Sequence, residues 1–285
     1  MWEKSVANLF ILGPSKVGST SLWENLRCHP EINPAISPKH NNTNDTRFWK
    51  EPQFFSSNYE ESQERCNSFY KTGKGIYNID ASTMYFMRYK PIEKIARHCD
   101  SNSKFICILR HPVERFISSY RHFRALWEIM NNEELLRLFL SNCSWRKQFE
   151  TEMRTGFTGI PKHFVNLKDH LFKRDITAQT IRAGDYYRTV ERMFKFFPKS
   201  NILFIRYQDF REDNEKTYNR ILDFLELEGS NNFDYNMQAN SRNYWLEYFD
   251  ATGEISKGDV EDLTKYYRPG VEILEDMINI KMEWF

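Results

Sequence analysis

The sequence predicts an α/β protein: a single domain over residues 1–285, with a central parallel sheet flanked by helices. Three observations carry that prediction. Short apolar runs alternate with amphipathic stretches along the chain, the pattern of strands joined through helical crossovers. The composition, 40% hydrophobic and 28% charged in 285 residues, supplies a substantial core and is too apolar for disorder. No repeat, linker or low-complexity tract divides the chain.

The elements follow in order. Residues 7–12 (Ala-Asn-Leu-Phe-Ile-Leu) read as a buried strand, followed by a Gly13-Pro14-Ser15 turn and a helix over 19–28. Residues 75–80 form a second strand and 91–98 a helix. A third strand, 104–109, runs into a helix at Pro112, where proline in the first turn costs no hydrogen bond. A further strand at 201–206 lies between amphipathic stretches 185–197 and 214–226. Residues 127–183 and 258–279 read as mostly helical. The segment 37–60 is Asn-rich and turn-prone, then strongly aromatic from Phe48 to Phe55, so it packs over the core or lines a cleft.

Composition excludes several classes. Forty Lys+Arg against 39 Asp+Glu give a formal net charge of +1, so no nucleic-acid-coating protein is expected. No apolar run approaches the ~18 residues a membrane span needs, and the N-terminus lacks the features of a signal peptide. Five widely spaced cysteines without a C-x-x-C pair fit reduced thiols rather than a disulfide framework or zinc site, and no metal is expected. A cytoplasmic location follows as the expectation, with the Golgi lumen as the alternative if the chain is an excised catalytic domain. The sequons at Asn41, Asn44 and Asn142 have meaning only in that second case.

Two strand-to-helix corners carry the candidate chemistry. In open parallel sheets, ligands bind beyond the carboxyl ends of the strands. The first such loop is Gly13-Pro14-Ser15-Lys16-Val17-Gly18-Ser19-Thr20-Ser21. Its glycines permit close backbone approach to an anion, Lys16 adds a point charge, and the helix N-terminus presents unpaired donors. It is not a Walker A loop, because the lysine precedes the second glycine instead of following it. The third strand ends at Arg110, which can fork onto a phosphate, with Ser118 two helical turns on. Lys104, Arg110, Arg115, Arg121 and Arg124 stand there against Glu114 alone, a basic cluster in a neutral protein.

Together these corners resemble the sulfotransferases that use 3′-phosphoadenosine-5′-phosphosulfate (PAPS), closest to the heparan-sulfate N-/3-O-sulfotransferase type. Lys16-x-Gly18-Ser19-Thr20-x-Leu22 with His29-Pro30 resembles the family's P-loop-like 5′-phosphosulfate loop. Arg110-x-Pro112-x-Glu114-Arg115-x-x-Ser118-x-Tyr120 resembles its 3′-phosphate motif. Lys50-Glu51-x-Gln53-Phe54-Phe55 resembles the element carrying the catalytic base, and Ile79 to Phe86 the strand end that follows it. Phe196-Phe197-Pro198, Ile202 to Phe204, Asp223 to Leu225 and Tyr267-Arg268-Pro269 match the later framework, so the resemblance covers nearly the whole chain.

The resemblance implies an in-line sulfuryl transfer from PAPS, releasing PAP, to a hydroxyl or amine of a small-molecule or oligosaccharide acceptor. Glu51 is then the general base and Lys16 the neutraliser of the leaving phosphate. Lys16, Val17, Gly18, Ser19, Thr20, Ser21, Arg110 and Ser118 would hold the donor; Lys50, Gln53, Phe54 and Ser82 would face the acceptor. His111 and His122 are the other candidate bases, placed beside the 3′-phosphate motif. The chain departs from the pattern at Ala81, where the family carries a cation, and at Ser56. It has no clear C-terminal K-G-R loop; Lys257-Gly258-Asp259 comes near, and Arg242 is a substitute. Two other readings compete: a catalytically silent nucleotide- or glycan-binding module, and a P-loop kinase.

Overall fold

The computed structural model describes residues 7–36, 48–56, 63–70, 75–88, 90–131, 181–230, 232–235 and 257–285, without the side chains of 63, 65 and 123–131. The sequons, Arg242 and most of the expected helical stretch 127–183 lie outside the described residues. Two compact units emerge: residues 1–111, 186–240 and 273–284 form the first, and residues 112–185, 241–272 and 285 the second.

The first unit is a five-stranded parallel sheet. Its strands are β1 (Leu9–Leu12), β2 (Ile32–Pro34), β3 (Tyr77–Asp80), β4 (Lys104–Leu109) and β5 (Ile202–Arg206), in the order β2-β3-β1-β4-β5. All four residues of β1 are buried, as a strand covered on both faces requires. β1 is the centre: it pairs with β3 through Leu9–Ile79 and Phe10–Asp80, and with β4 through four successive pairs. All strands run parallel; the connection leaving β1 leads to β2 on one side of the sheet and the one leaving β4 leads to β5 on the other, so the loops at these carboxyl ends diverge, the place where open sheets form a ligand crevice.

The helices are α1 (Ser19–Leu26), α2 (Gln63–Asn67), α3 (Met84–Met87), α4 (Lys90–His98), α5 (Pro112–Asn131), α6 (Tyr186–Phe196), α7 (Tyr207–Glu212), α8 (Asn214–Leu225) and α9 (Lys257–Ile278). Helix α8 shows why the local sequence folds as it does. Tyr218, Ile221, Leu222 and Leu225 recur on one face and are buried. Asp213 caps its start by accepting the Lys216 N–H at 2.9 Å, a contact worth about 1 kcal/mol. This face joins Leu9, Ile11, Leu22, Leu26, Ile79, Ile106 and Ile205 in the principal core. Each such side chain contributes about 1.5–3 kcal/mol on burial.

In the second unit, Val113 and Phe116 of α5 pack with Ile181, Leu263 and Tyr267. The Tyr267 hydroxyl donates to the Ile181 carbonyl at 2.8 Å and Tyr266 to Asp185 Oδ2 at 2.8 Å. Lys257-Gly258-Asp259 forms the first turn of α9, so it is helix rather than a phosphate loop. Among the described residues no helix is long and apolar enough to cross a membrane. Cys28, Cys66, Cys99 and Cys107 form no disulfide.

Candidate active site

The loop after β1 is shaped by what crowds it. A Cβ on Gly13 would lie 2.6 Å from the Ile108 carbonyl oxygen, so only glycine lets this turn pass β4. Gly18 has φ 90°, the left-handed region, and its hydrogen faces the Tyr207 ring, which a Cβ would approach to 3.0 Å. Between them Lys16 sits at φ 74°. That conformation costs a non-glycine residue on the order of 1–3 kcal/mol and persists where its surroundings enforce it. Arg110 braces the turn: its Nη1 donates to the Lys16 carbonyl at 3.2 Å, and its guanidinium lies 4.7 Å from the Tyr207 ring centroid. The Tyr186 hydroxyl in turn donates to the Arg110 carbonyl at 2.7 Å.

Positive charge is crowded in this corner. Burial, then the neighbouring Arg110 and Lys50 cations, push the Lys16 pKa down from 10.5 to about 8. The Ser15 hydroxyl is buried with no hydrogen-bond partner among the described residues. Helix α1 opens on N–H groups without intrahelical acceptors, and Gly18 brings no side-chain cap. Crowded cations, an orphaned hydroxyl and an uncapped helix start fit an anionic group such as a phosphosulfate.

The other corner is built on the aromatic segment. The Trp49 N–H donates to Ala35 at 2.7 Å and the Lys50 carbonyl accepts the Ala81 N–H at 3.1 Å, which lays this segment along the end of β3. Ala81, where the family carries a cation, is thereby buried at 0% exposure. Glu51, 16% exposed, accepts from Lys50 Nζ at 2.8 Å through Oε1. Its Oε2 accepts from Gln53 Nε2 at 2.8 Å and Thr83 Oγ1 at 3.0 Å. Lys50 Nζ also donates to Ser19 Oγ at 3.2 Å, so one ammonium links the carboxylate to the start of α1. Behind them Asp80, wholly buried, accepts from Tyr70, Tyr85 and Ser82. Burial raises its pKa, and those donors pull against the rise without cancelling it. Burial, reinforced by the Asp80 charge, lifts Tyr70 and Tyr85 well above the usual phenol range.

The fold therefore gathers Lys16, Ser19, Lys50, Glu51, Gln53 and Arg110 in the first unit. Val17 is fully buried and has only its backbone to offer a ligand; Ser21 is 8% exposed. Two expectations for acceptor contact need correction. The Phe54 ring is 2% exposed, packed edge-on against Phe55 and Phe69, and Ser82 is 0% exposed with its hydroxyl on Asp80. Both support the Glu51 segment from behind, because a buried ring and a spent hydroxyl have no face left for an acceptor. Ser118 is half-buried on α5 in the second unit. The His111 ring is engaged with Trp284 at 6.2 Å.

Sequence reasoning missed Thr83 and Tyr207 and gave Asp80 no role. An acidic residue closing an apolar strand was the signal available for Asp80; Thr83 and Tyr207 carry none.

Comparison with known proteins shows the family and the fold. The family model for the sulfotransferase domain matches residues 7–279. Bifunctional heparan sulfate N-deacetylase/N-sulfotransferase 4 of Mus musculus is 27% identical over 220 residues, covering 75% of this chain and 22% of that protein. Heparan sulfate glucosamine 3-O-sulfotransferase 6 of Homo sapiens is 24% identical over 220 residues, covering 76% and 51%. The chain thus spans about half or less of the length of these relatives. A crystal structure of a sulfotransferase from Alicyclobacillus acidocaldarius shares the fold, with TM-score 0.61, 20% identity and 98% coverage of both chains.

Proposed function

The chain belongs to the sulfotransferase domain family, and from that premise we propose that it transfers the sulfuryl group of PAPS to a hydroxyl or amine nitrogen of a small-molecule or saccharide acceptor. The observation that carries the reading is the Lys50 ammonium, 2.8 Å from the Glu51 carboxylate and 3.2 Å from Ser19 Oγ. Through it the candidate base and the anion corner meet across a single side chain.

PAPS supplies an activated sulfuryl group on a phosphate leaving group. Lys16 and the start of α1 hold that end and neutralise the charge the 5′-phosphate gains as the sulfur–oxygen bond breaks. Arg110 takes the 3′-phosphate. Glu51 accepts the proton of the acceptor as its oxygen or nitrogen bonds to sulfur, a contribution typically worth ~10²–10⁴ in rate. Gln53 and Thr83 hold the carboxylate during that step. The names of the relatives, heparan sulfate N- and 3-O-sulfotransferases, support both a saccharide and either attacking atom.

Thermal unfolding with adenosine 3′,5′-bisphosphate or with ATP-Mg tests the donor site. A ligand at 100 times its Kd adds about 2.7 kcal/mol. Stabilisation by the bisphosphate alone is expected; stabilisation by ATP-Mg alone would replace this reading with the kinase one. Incubation with labelled PAPS and a panel of amine and hydroxyl saccharides and phenols, read by mass spectrometry, should give a sulfated product. Bisphosphate binding with no product across the panel would leave a silent binding module.

A further inference from the structure

We infer that Asp80 is the positioning residue of the base loop: its buried carboxylate orients two hydroxyls, and those hydroxyls hold the turn that aims Glu51. The inference rests on Glu51 being the base.

Asp80 is the last residue of β3 and has no solvent exposure. Its Oδ2 accepts from the Tyr70 and Tyr85 hydroxyls at 2.6 and 2.9 Å, and its Oδ1 from the Ser82 hydroxyl and N–H at 2.6 and 3.0 Å. A carboxylate offers about four acceptor positions and no donor, so this set is complete. It also fixes polarity. The Ser82 and Tyr85 hydroxyls aim their hydrogens at Asp80 and turn lone pairs to the opposite side. There Ser82 Oγ accepts the Gln53 N–H at 2.9 Å, and Tyr85 Oη accepts the Phe55 N–H at 3.2 Å. Rotated the other way, either hydroxyl would meet a backbone donor with its own hydrogen.

The turn held at these two points is a demanding one. Gln53 is 8% exposed at φ 57°, left-handed without being glycine. In that conformation its Nε2 reaches Glu51 Oε2 at 2.8 Å, while Ser56 Oγ donates to its Oε1 at 2.5 Å and fixes which way the amide faces. A relay of defined direction therefore runs from Asp80 through Ser82 to Gln53 and on to Glu51, while Tyr85 holds the same turn at Phe55.

Amide hydrogen exchange reads the relay without any acceptor. Asp80→Asn, of nearly equal size, puts a donor where an acceptor is required, and the Gln53 and Phe55 amides should exchange at least about tenfold faster while Leu22 in α1 is unchanged. Ser82→Ala should release Gln53 alone, and Tyr85→Phe should release Phe55 alone; these carry the test if Asp80→Asn does not fold. Unchanged protection of both amides overturns the inference. In labelled-PAPS turnover, Asp80→Asn should lower kcat about tenfold or more with KM for PAPS within about twofold, and add less than about twofold in a Glu51→Gln background. The same loss with or without Glu51 would make Asp80 merely structural. Full turnover in Glu51→Gln alone would instead sink the base assignment, a result the exchange pattern does not depend on.

Discussion

The two corners of the crevice are opposites in how their polar groups are satisfied. Around Glu51 and Asp80 every oxygen is taken: Glu51 holds three side-chain donors and Asp80 accepts four hydrogen bonds. Around Lys16 the balance is reversed, with Arg110 and Lys50 both close to its ammonium, a buried hydroxyl without a partner among the described residues and an uncapped helix start. A saturated network resists rearrangement and fixes geometry. An unsatisfied one waits for a ligand that completes it. The comparison assigns positioning to the first corner and anion binding to the second, and it can be broken at either end.

The largest effect is expected at Glu51. Glu51→Gln keeps size and loses basicity, so kcat should fall at least a hundredfold while the bisphosphate Kd, by calorimetry, stays nearly the same. A comparable loss of affinity would mean the two corners are not separable. Lys16→Ala comes next: turnover should drop about a hundredfold, since a charge-assisted contact of about 1.5–3 kcal/mol disappears from where leaving-group charge develops. Arg110→Ala removes both the proposed 3′-phosphate ligand and the brace of the Lys16 turn, so bisphosphate affinity should weaken about tenfold to a hundredfold, with less effect on kcat at saturating donor.

The smallest effect is the pH response of Lys16. With its pKa lowered to about 8, the free site loses this proton as pH rises past 8, while the unfolded chain keeps it to about 10.5. Below pH 8 the fold bears the cost of a buried, crowded ammonium, and stability from this group increases with pH between 8 and 10.5. A bound anion favours the charged form. Bisphosphate affinity should therefore decline above pH 8, and calorimetry in buffers of different ionisation enthalpy should detect proton uptake there. Uptake that persists in Lys16→Ala would assign the titration elsewhere.

Much of the framework was legible in the chain. The strands at Leu9–Leu12, Lys104–Leu109 and Ile202–Arg206 follow their apolar runs because a strand covered on both faces is apolar along most of its length, with the charged Lys104 and Arg206 half-buried at strand ends. The third, Tyr77–Asp80, is shorter than expected. Strand β2 was missed because Ile32-Asn33-Pro34 is three residues at a sheet edge, where proline and asparagine are tolerated and no pattern develops. The single-domain expectation stands beside two compact units, with the family match running through both.

Lys16, Arg110 and the turns around Gly13 and Gly18 stood out as candidates from residue order, because phosphate-binding corners need particular residues at fixed short spacing, whereas Glu51 entered only through the family resemblance. The tertiary structure decided what spacing cannot encode. Thr83 reaches Glu51 across 32 residues and Ser82 reaches Gln53 across 29. Whether Phe54 met an acceptor or the core, and whether Asp80 was an ordinary strand end or an anchor, depended on β3 lying beside β1 with the aromatic segment laid over its end. Local sequence sets which groups are available; only long-range packing sets which of them face each other, and in which direction their hydrogens point.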